Sequence, residues 1–375
     1  MNKQHIFIGK IFNIPIGVDY SWFLIVALIT WSLAVSYFPQ AYKNWSTAEY
    51  WIVAGVTAVL FFACVLLHEL GHSVVAMRFK LPVRSITLFI FGGVSEITSE
   101  PSNAAAEFWI AIAGPATSFV LAAFFGVVSL VVSGLAPLMA LASYLAYINA
   151  ILGLFNLIPG FPLDGGRVFR SIVWGVTHNL SRATVIAANV GRVIAFLFIL
   201  FGVWQIAIGN LFNGIWIAFI GWFLESAANA QLGQQRMHTL LAGHTVAQAM
   251  SRNYAILPPN MTLQQIADEH ILGSGQRFFV IESADQPLGL LTIANLNQIP
   301  RSAWGTTTAS QAMTSIDQFH KLRSDEGLAE ALNEMNMDKV NQLPVMSDGR
   351  LEGVLSQENV IHFLRTLQEL NKARP

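Results

Sequence analysis

The chain has 375 residues, of which 54% are hydrophobic and only 11% are charged, whereas soluble domains carry about 25% charged residues. Only 18 of the charged residues lie in 1–230 and 25 lie in the remaining 145, so the first part is predicted to be embedded in a membrane and the second to be soluble. A net charge of −1 without a basic stripe argues against a nucleic-acid partner, and the single cysteine, Cys64, excludes an intramolecular disulfide.

Six apolar stretches are long enough to cross a bilayer as helices of about 20 residues. Lysine and arginine concentrate before the first, after the second, after the fourth and after the sixth stretch, whereas the opposite side carries only Lys43. The positive-inside rule therefore places both termini in the cytoplasm. The first stretch is too long for a cleavable signal peptide, and the default location is the prokaryotic plasma membrane. The stretches cover 18–38, 50–77, 106–133, 138–158, 184–208 and 211–228.

The second stretch contains the sequence Cys64-Val-Leu-Leu-His68-Glu69-Leu-Gly-His72. On a helix, His68 and His72 lie one turn apart on the same face, so both imidazoles can bind one metal ion. Glu69 is close enough to act on a water molecule bound to that ion. Ionisable side chains at this depth are costly unless they have partners, so the pattern indicates a metal site. Cys64, one turn earlier, is more typical of a buried apolar residue than of a further ligand.

Between the second and third stretches, residues 81–97 alternate in part between apolar and polar side chains and include Phe91-Gly92-Gly93. β-Branched and aromatic residues interrupted by glycines predict one or two strands on the cytoplasmic side, close to His72. An exposed strand edge at Gly92 and Gly93 can pair with an extended segment of a substrate. The alternative is an ordinary interfacial loop.

The fourth stretch ends in the sequence Asn156-Leu-Ile-Pro-Gly-Phe-Pro-Leu-Asp164-Gly-Gly-Arg167. Its prolines and glycines break the helix, and broken backbone at this depth is tolerated where it lines a cavity. Asp164 is the only acidic residue between Glu107 and Glu225. Two histidines, a carboxylate and a water molecule make a catalytic zinc site, so Asp164 is a candidate third ligand. The alternative is that Asp164 pairs with Arg167 or caps the following helix.

The tail, from about residue 238, contains an internal repeat with a spacing within one or two residues of 64. Each copy predicts the order strand, helix, strand, strand, helix. The chain is therefore predicted to be a polytopic α-helical membrane domain with a small β element, at 1–230, followed by a soluble α/β module with copies at 238–300 and 301–370. The repeat is seen in Thr245-Val-Ala-Gln-Ala-Met against Thr308-Ala-Ser-Gln-Ala-Met, and in Gly289-Leu-Leu-Thr292-Ile-Ala-Asn295 against Gly353-Val-Leu-Ser356-Gln-Glu-Asn359.

The motifs of residues 1–230 resemble, in order and spacing, those of the site-2 protease family of intramembrane zinc metalloproteases. The resemblance implies that His68, His72 and Asp164 bind one Zn²⁺. It implies that Glu69 is the general base and that Asn156 steadies the substrate carbonyl or its oxyanion. It also implies regulated intramembrane proteolysis of a single-span membrane protein, such as an anti-sigma factor or a membrane-anchored transcription factor, with membrane lipid around the enzyme. The motifs are His68-Glu69-Leu-Gly-His72, Phe91-Gly92-Gly93, Ala113-Gly114-Pro115 and the segment from Asn156 to Gly165.

The repeat resembles a tandem pair of cystathionine-β-synthase-type (CBS) domains, which implies an adenine-nucleotide sensor or a module that forms a homodimer. The family's ribose contact is a serine or threonine followed three residues later by aspartate. Thr292 and Ser356 fit this pattern, but Asn295 and Asn359 replace the acid and lack its charge-assisted hydrogen bond, which weakens the expectation of nucleotide binding. Two other functions stay open: a CBS-gated ion channel or transporter, and a membrane partner protein without proteolytic activity.

Overall fold

The computed structural model describes residues 5–271, 276–284, 286–338, 340–347 and 349–372, which form two compact units, Met1–Gln235 and Arg236–Pro375. Among the described residues, six helices are long and apolar enough to cross a membrane, and they correspond to the six predicted spans. A seventh, shorter helix lies between the fourth and fifth of them. In chain order the helices are α1 (Tyr20–Ala41), α2 (Thr47–Arg78), α3 (Ala104–Val131), α4 (Ala136–Asn156), the shorter α5 (Asp164–Thr177), α6 (Leu180–Ala207) and α7 (Leu211–Leu241).

The observed helix ends differ from the predicted span ends most clearly in α7. This helix runs to Leu241, well past the predicted end at 228, because the alanine, glutamine, leucine and arginine residues that follow are good helix formers without being a continuous apolar run. Helix α1 includes a π-helical segment, Leu33–Tyr37. Helix α5 lies between the fourth and fifth spans, where the prolines and glycines predicted only a break in the helix.

Helix α2 begins with a pair of reciprocal side-chain caps. Ser46 Oγ accepts a hydrogen bond from the backbone N–H of Glu49 (3.3 Å), and Glu49 Oε2 accepts one from the backbone N–H of Ser46 (2.6 Å). These bonds satisfy backbone donors that the helix itself leaves unpaired. From this start the helix extends to Arg78, so His68 lies about 15 Å before its end.

A four-stranded sheet lies beside the helices, in the order β1-β2-β3-β4. The pair β2 and β3 is parallel and the other neighbours are antiparallel. Residues 81–97, predicted to form one or two strands, form both β3 and β4, whereas β1 and β2 were not predicted. Their signal is the alternation of buried Ile14, Ile16 and Val18 after a turn with positive φ angles at Phe12 and Asn13. The strands are β1 (His5–Ile11), β2 (Ile14–Asp19), β3 (Val83–Phe89) and β4 (Gly92–Ile97).

The sheet packs against the part of α2 that carries the histidines. Ile16 and Ile86 form a buried cluster with Leu70 of α2, and Leu88 packs with Val65 of the same helix. Burying an aliphatic side chain of this size contributes about 1.5–3 kcal/mol relative to leaving it exposed. Apolar packing therefore holds β3, and with it the neighbouring β4, against α2.

The second unit repeats one arrangement twice, and the predicted order of strand, helix, strand, strand, helix is found in both copies. In the first copy the strands Ala255–Leu257 and Phe278–Ser283 are parallel, and in the second copy Leu322 forms the corresponding parallel bridge with Val345. The first copy contains α8 (Val246–Ala249), β5 (Ala255–Leu257), α9 (Leu263–Gln265, continued by a π-helical turn, Ile266–Ile271), β6 (Phe278–Ser283), β7 (Gln286–Thr292) and α10 (Ile293–Asn297). The second contains α11 (Ala309–Ala312), β8 (Thr314–Ser315), α12 (Leu328–Asp338), β9 (Gln342–Ser347), β10 (Arg350–Ser356) and α13 (Gln357–Lys372).

The short first helix of each copy packs into the core of the other copy. Val246 of α8 clusters with Leu355 of the second copy, and Ala309 of α11 clusters with Phe279 of the first. Each copy alone would lack part of its core, so the two copies are expected to fold together. The boundary between 300 and 301 stays a prediction.

Candidate metal centre and active site

Side chains from α2 and α5 meet in one buried cluster. His68 Nε2 and His72 Nε2 are 3.3 Å apart, and Asp164 Oδ2 lies 3.1 Å from each of them. The two histidines are only 4% and 3% exposed, and Asp164 is the first residue of α5. In the part of the chain that the structure describes, this is the one group of three or more side chains that could hold a metal ion.

The cluster fits a tetrahedral zinc ion. Donor atoms about 2.0–2.1 Å from such an ion lie about 3.3 Å from one another, close to the observed spacings. His72 Nδ1 lies 2.7 Å from the carbonyl oxygen of Ile110; because a carbonyl only accepts hydrogen bonds, Nδ1 carries the proton and the lone pair of Nε2 faces the cluster. His68 Nδ1 is hydrogen-bonded to Ser118 Oγ (2.8 Å). Such partners set the tautomer and orientation of metal-binding histidines.

The alternatives weighed for Asp164 and Cys64 find no support in these contacts. Asp164 contacts the histidines, and no ion pair between Asp164 and Arg167 is present among the described residues. The N-cap of α5 is Leu163, so Asp164 does not cap the helix. Cys64 is buried but its Sγ is not among the clustered donor atoms.

Helix α3 approaches the cluster closely because Gly114 has no side chain. A Cβ at Gly114 would lie 2.6 Å from His68 Nε2 and closer still to His72 Nε2. On the facing helix, a Cβ at Gly71 would lie 2.5 Å from Thr117 Oγ1. The two glycines therefore let α2 and α3 pack at short range beside the metal centre, which gives a structural role to the Ala-Gly-Pro motif.

Two contacts of the histidines on α3 were missed by the sequence analysis. Ser118 had a usable signal, because it is a polar residue one turn after Gly114 in an apolar helix. The Ile110 carbonyl had none, because the backbone oxygen of any residue at that position would look the same in the sequence.

Strand β4 lies against Glu69, the residue predicted to act as general base. A Cβ at Gly93 would lie 2.6 Å from Glu69 Cγ and 3.3 Å from Glu69 Cδ. Gly92 has a φ of +129° and no heavy atom within 4 Å of a built Cβ. The strand predicted near His72 is therefore next to Glu69, and β4 has strand β3 on one side and none on the other among the described strands.

Asn156 is the last residue of α4, eight positions before Asp164. It is half-buried, and its side-chain amide makes no hydrogen bond to any other residue that the structure describes, which leaves it available to a ligand. The segment that joins it to α5 packs tightly, since a Cβ at Gly165 would clash with the backbone of Leu157 and Ile158. The role of Asn156 stays a prediction.

The four residues predicted to contact a nucleotide lie at the starts of α10 and α13, where they bond to one another. Thr292 Oγ1 donates to Asn295 Oδ1 (2.6 Å) and accepts from the Asn295 backbone N–H (3.3 Å). Ser356 Oγ donates to Asn359 Oδ1 and accepts from the Asn359 backbone N–H (3.1 Å). Both pairs act as helix N-caps, and nucleotide binding there stays a prediction.

Comparisons with known proteins cover both units. The model of peptidase family M50 matches residues 56–142 and 133–200, and the CBS domain model matches 246–299 and 309–366. The chain is 36% identical over 376 residues to sll0528, a candidate zinc metalloprotease of Synechocystis sp. (strain ATCC 27184 / PCC 6803 / Kazusa), covering 97% of this chain and 96% of that relative. It is 35% identical over 332 residues to Rip3, a candidate zinc metalloprotease of Mycobacterium tuberculosis, covering 88% and 84%. Among solved structures it is similar to the site-2 protease from Methanocaldococcus jannaschii, at 29% identity and a TM-score of 0.41, covering 61% of this chain and 95% of that chain.

Proposed function

Because the chain belongs to peptidase family M50, the site-2 protease family, and is a zinc metalloprotease with tandem CBS domains, we propose that it hydrolyses a peptide bond in or near a transmembrane segment of another membrane protein. The observation that carries the proposal is the cluster of His68, His72 and Asp164, buried within a unit of six apolar helices. A site of this kind on membrane helices acts on a chain that enters from the bilayer.

Glu69 is the proton-transferring residue in this proposal, and the three clustered side chains hold the zinc ion. When bound, zinc lowers the pKa of a water ligand and polarises the scissile carbonyl. The Glu69 carboxylate takes a proton from the attacking water and passes it to the nitrogen of the leaving amine, so that one carboxylic acid and one amine are formed. Strand β4 lies against this side chain at Gly93, where the absence of a Cβ leaves room for it.

Two further features bind the substrate segment. Asn156 donates a side-chain N–H to the substrate carbonyl oxygen. A helical substrate has its carbonyls in internal hydrogen bonds, so it must unwind before attack, and unpaired backbone groups are costly at membrane depth. The free edge of β4, at Gly92 and Gly93, replaces those bonds by pairing with the unwound segment.

The Glu69→Gln variant tests the reaction. It keeps the size of the side chain but removes the base, so cleavage of a single-span test substrate should be lost while zinc stays bound. The matched control is Glu225→Gln, an acid of α7 outside the cluster, which should cleave normally. Retained turnover in Glu69→Gln would contradict the assignment of the base.

The proposed substrate, as the family resemblance implies, is a single-span membrane protein such as an anti-sigma factor or a membrane-anchored transcription factor, cleaved as part of regulated intramembrane proteolysis. Membrane proteomes of cells with the wild-type protein and with Glu69→Gln identify candidates as proteins that accumulate only in the variant. The proposed orientation, with both termini on the cytoplasmic side of a prokaryotic plasma membrane, is tested with reporters fused to each terminus.

The CBS pair is proposed to regulate or dimerise the protease. Because Asn295 and Asn359 are occupied in helix caps, dimerisation is favoured over nucleotide sensing, and sedimentation of the full-length protein with and without adenine nucleotide separates the two. A CBS-gated channel would need polar groups along several spans, whereas the family and the zinc metalloprotease relatives support an enzyme. They also count against a partner protein without proteolytic activity.

A further inference from the structure

A buried ion pair links α5, the helix that begins with Asp164, to α3. Arg170 Nε donates to Glu107 Oε1 at 2.6 Å, and Arg170 Nη2 contacts the same oxygen. Glu107 is fully buried and Arg170 is 6% exposed. Arg170 Nη1 also reaches Thr184 Oγ1 of α6 at 3.4 Å.

The same guanidinium contacts the segment just before Asp164. Arg170 Cζ lies 5.3 Å from the centroid of the Phe161 ring, within the range of a cation–π contact. Phe161 is itself 6% exposed and lies three residues before Asp164. Arg170 therefore holds both the loop that leads into Asp164 and the helix that follows it.

One face of α3 contacts both histidine ligands directly and contacts the helix of the third ligand, Asp164, through Arg170. Glu107, Ile110, Gly114 and Ser118 are spaced by three or four residues and therefore share a face. The Ile110 carbonyl and the Ser118 hydroxyl hold the two histidines, and Gly114 leaves room for their Nε2 atoms. Glu107 adds the contact to the helix of the third ligand.

Asp164 needs such a contact more than the histidines do. The histidines share one helix, so one helical turn sets their relative position, whereas Asp164 comes from a separate helix and lies only 3.1 Å from each. Ligand distances in metal sites lie within about 0.2 Å of their standard values, so a slide of α5 that the Asp164 side chain cannot follow would weaken its bond to the ion. Stability alone explains the pair poorly, since buried ion pairs are often replaced by apolar residues without loss of stability.

We infer that Glu107 and Arg170 are positioning residues of the metal centre, which fix α5 on α3 so that Asp164 Oδ2 stays within reach of the ion. This inference rests on the proposed assignment of His68, His72 and Asp164 as the zinc ligands.

The test measures zinc binding and folding separately in the full-length protein in lipid nanodiscs. Arg170→Lys keeps the charge but loses the Nε donor and the planar fork, and Glu107→Gln keeps the size but loses the charge. Stripped protein is titrated with zinc against a chromophoric chelator, and thermal unfolding is followed with and without zinc. Both variants should bind zinc about 10- to 100-fold more weakly, with a correspondingly smaller zinc-induced shift in Tm.

A purely structural pair would behave differently. It would lower the Tm of the metal-free and zinc-loaded forms alike and leave the zinc affinity unchanged, and affinities equal to wild type in both variants overturn the inference. Ser171→Ala is the matched control, because Ser171 is buried on the same helix and its one side-chain hydrogen bond to a described residue goes to the carbonyl of Val168 in its own helix; the zinc affinity of this variant should be that of wild type.

The His72→Ala variant distinguishes an error in the zinc-site assignment from an error in the positioning role. If His72→Ala binds zinc as tightly as wild type, the zinc-site assignment is wrong; if it binds weakly while the pair variants match wild type, only the positioning role is wrong. If only one of Arg170→Lys and Glu107→Gln folds, the zinc affinity of the folded variant tests the positioning role. If neither metal-free variant unfolds cooperatively, the pair is a determinant of folding and the positioning role is overturned.

Discussion

Replacing Gly114 by alanine would place a methyl group against both histidine rings of the metal centre. The new Cβ would lie 2.6 Å from His68 Nε2 and closer to His72 Nε2, whereas non-bonded heavy atoms need about 3.5 Å. The rings or α3 must therefore move by about 0.9 Å at His68 and by more at His72, whereas metal–ligand distances stay within about 0.2 Å of their standard values. Gly114→Ala is expected to remove at least one histidine from zinc coordination.

The size of this effect follows from the binding free energy of zinc sites. Complete four-ligand sites bind zinc with about 10–16 kcal/mol, or about 2.5–4 kcal/mol per ligand. Losing one ligand should therefore raise the zinc Kd by about 100- to 1,000-fold. Chelator competition on the purified protein in nanodiscs measures this value, and cleavage of a single-span test substrate at limiting zinc should fall with it.

Gly126→Ala is the matched control for this prediction. Gly126 lies on the same helix, α3, and a Cβ there has no heavy atom within 4 Å, so its zinc Kd should equal that of wild type. A Gly114→Ala protein that binds zinc within about threefold of wild type would refute the close approach of α3 to the histidines.

Three other substitutions test separate contacts. Gly93→Ala adds a Cβ 2.6 Å from Glu69 Cγ and should displace the base, lowering kcat about 10- to 100-fold at unchanged zinc content, as measured by steady-state cleavage. Ser118→Ala removes the partner of His68 Nδ1 and should weaken zinc binding by about 10-fold in chelator competition. Thr292→Ala removes the cap of α10 and should destabilise this helix by about 1 kcal/mol, which is measured as faster amide hydrogen exchange in α10 of the full-length protein.

Each of these substitutions has a control with the same change of residue type. Gly9→Ala lies on β1 with an open Cβ position, Ser129→Ala loses only a bond to a carbonyl of its own helix, and Thr306→Ala is exposed. An unchanged kcat in Gly93→Ala, an unchanged zinc Kd in Ser118→Ala, or unchanged exchange in Thr292→Ala would each contradict the contact concerned.

Features that depend on neighbours within a turn or a strand were predictable from the sequence. The six spans follow from apolar runs, and the tandem repeat follows from matched segments such as those around Thr292 and Ser356. The spacing of His68 and His72 predicts two imidazoles on one helical face, and the position of Asp164 at a break in an apolar stretch predicts a third ligand. The missed hairpin of β1 and β2 also had a local signal, but the parallel pairing of β2 with β3 had none.

Only the tertiary structure decided how these local features meet. His68 and Asp164 are 96 positions apart, and their 3.1 Å contact depends on how α2, α3 and α5 pack. The Ile110 carbonyl, the close approach at Gly114 and the pairing of Glu107 with Arg170 leave no periodicity in the sequence, because each is a contact between helices rather than within one. The sequence by itself therefore determined which side chains can bind zinc, because helical spacing depends on neighbouring residues. Helix packing determined where those side chains are held, because contacts between distant helices depend on how the whole chain folds.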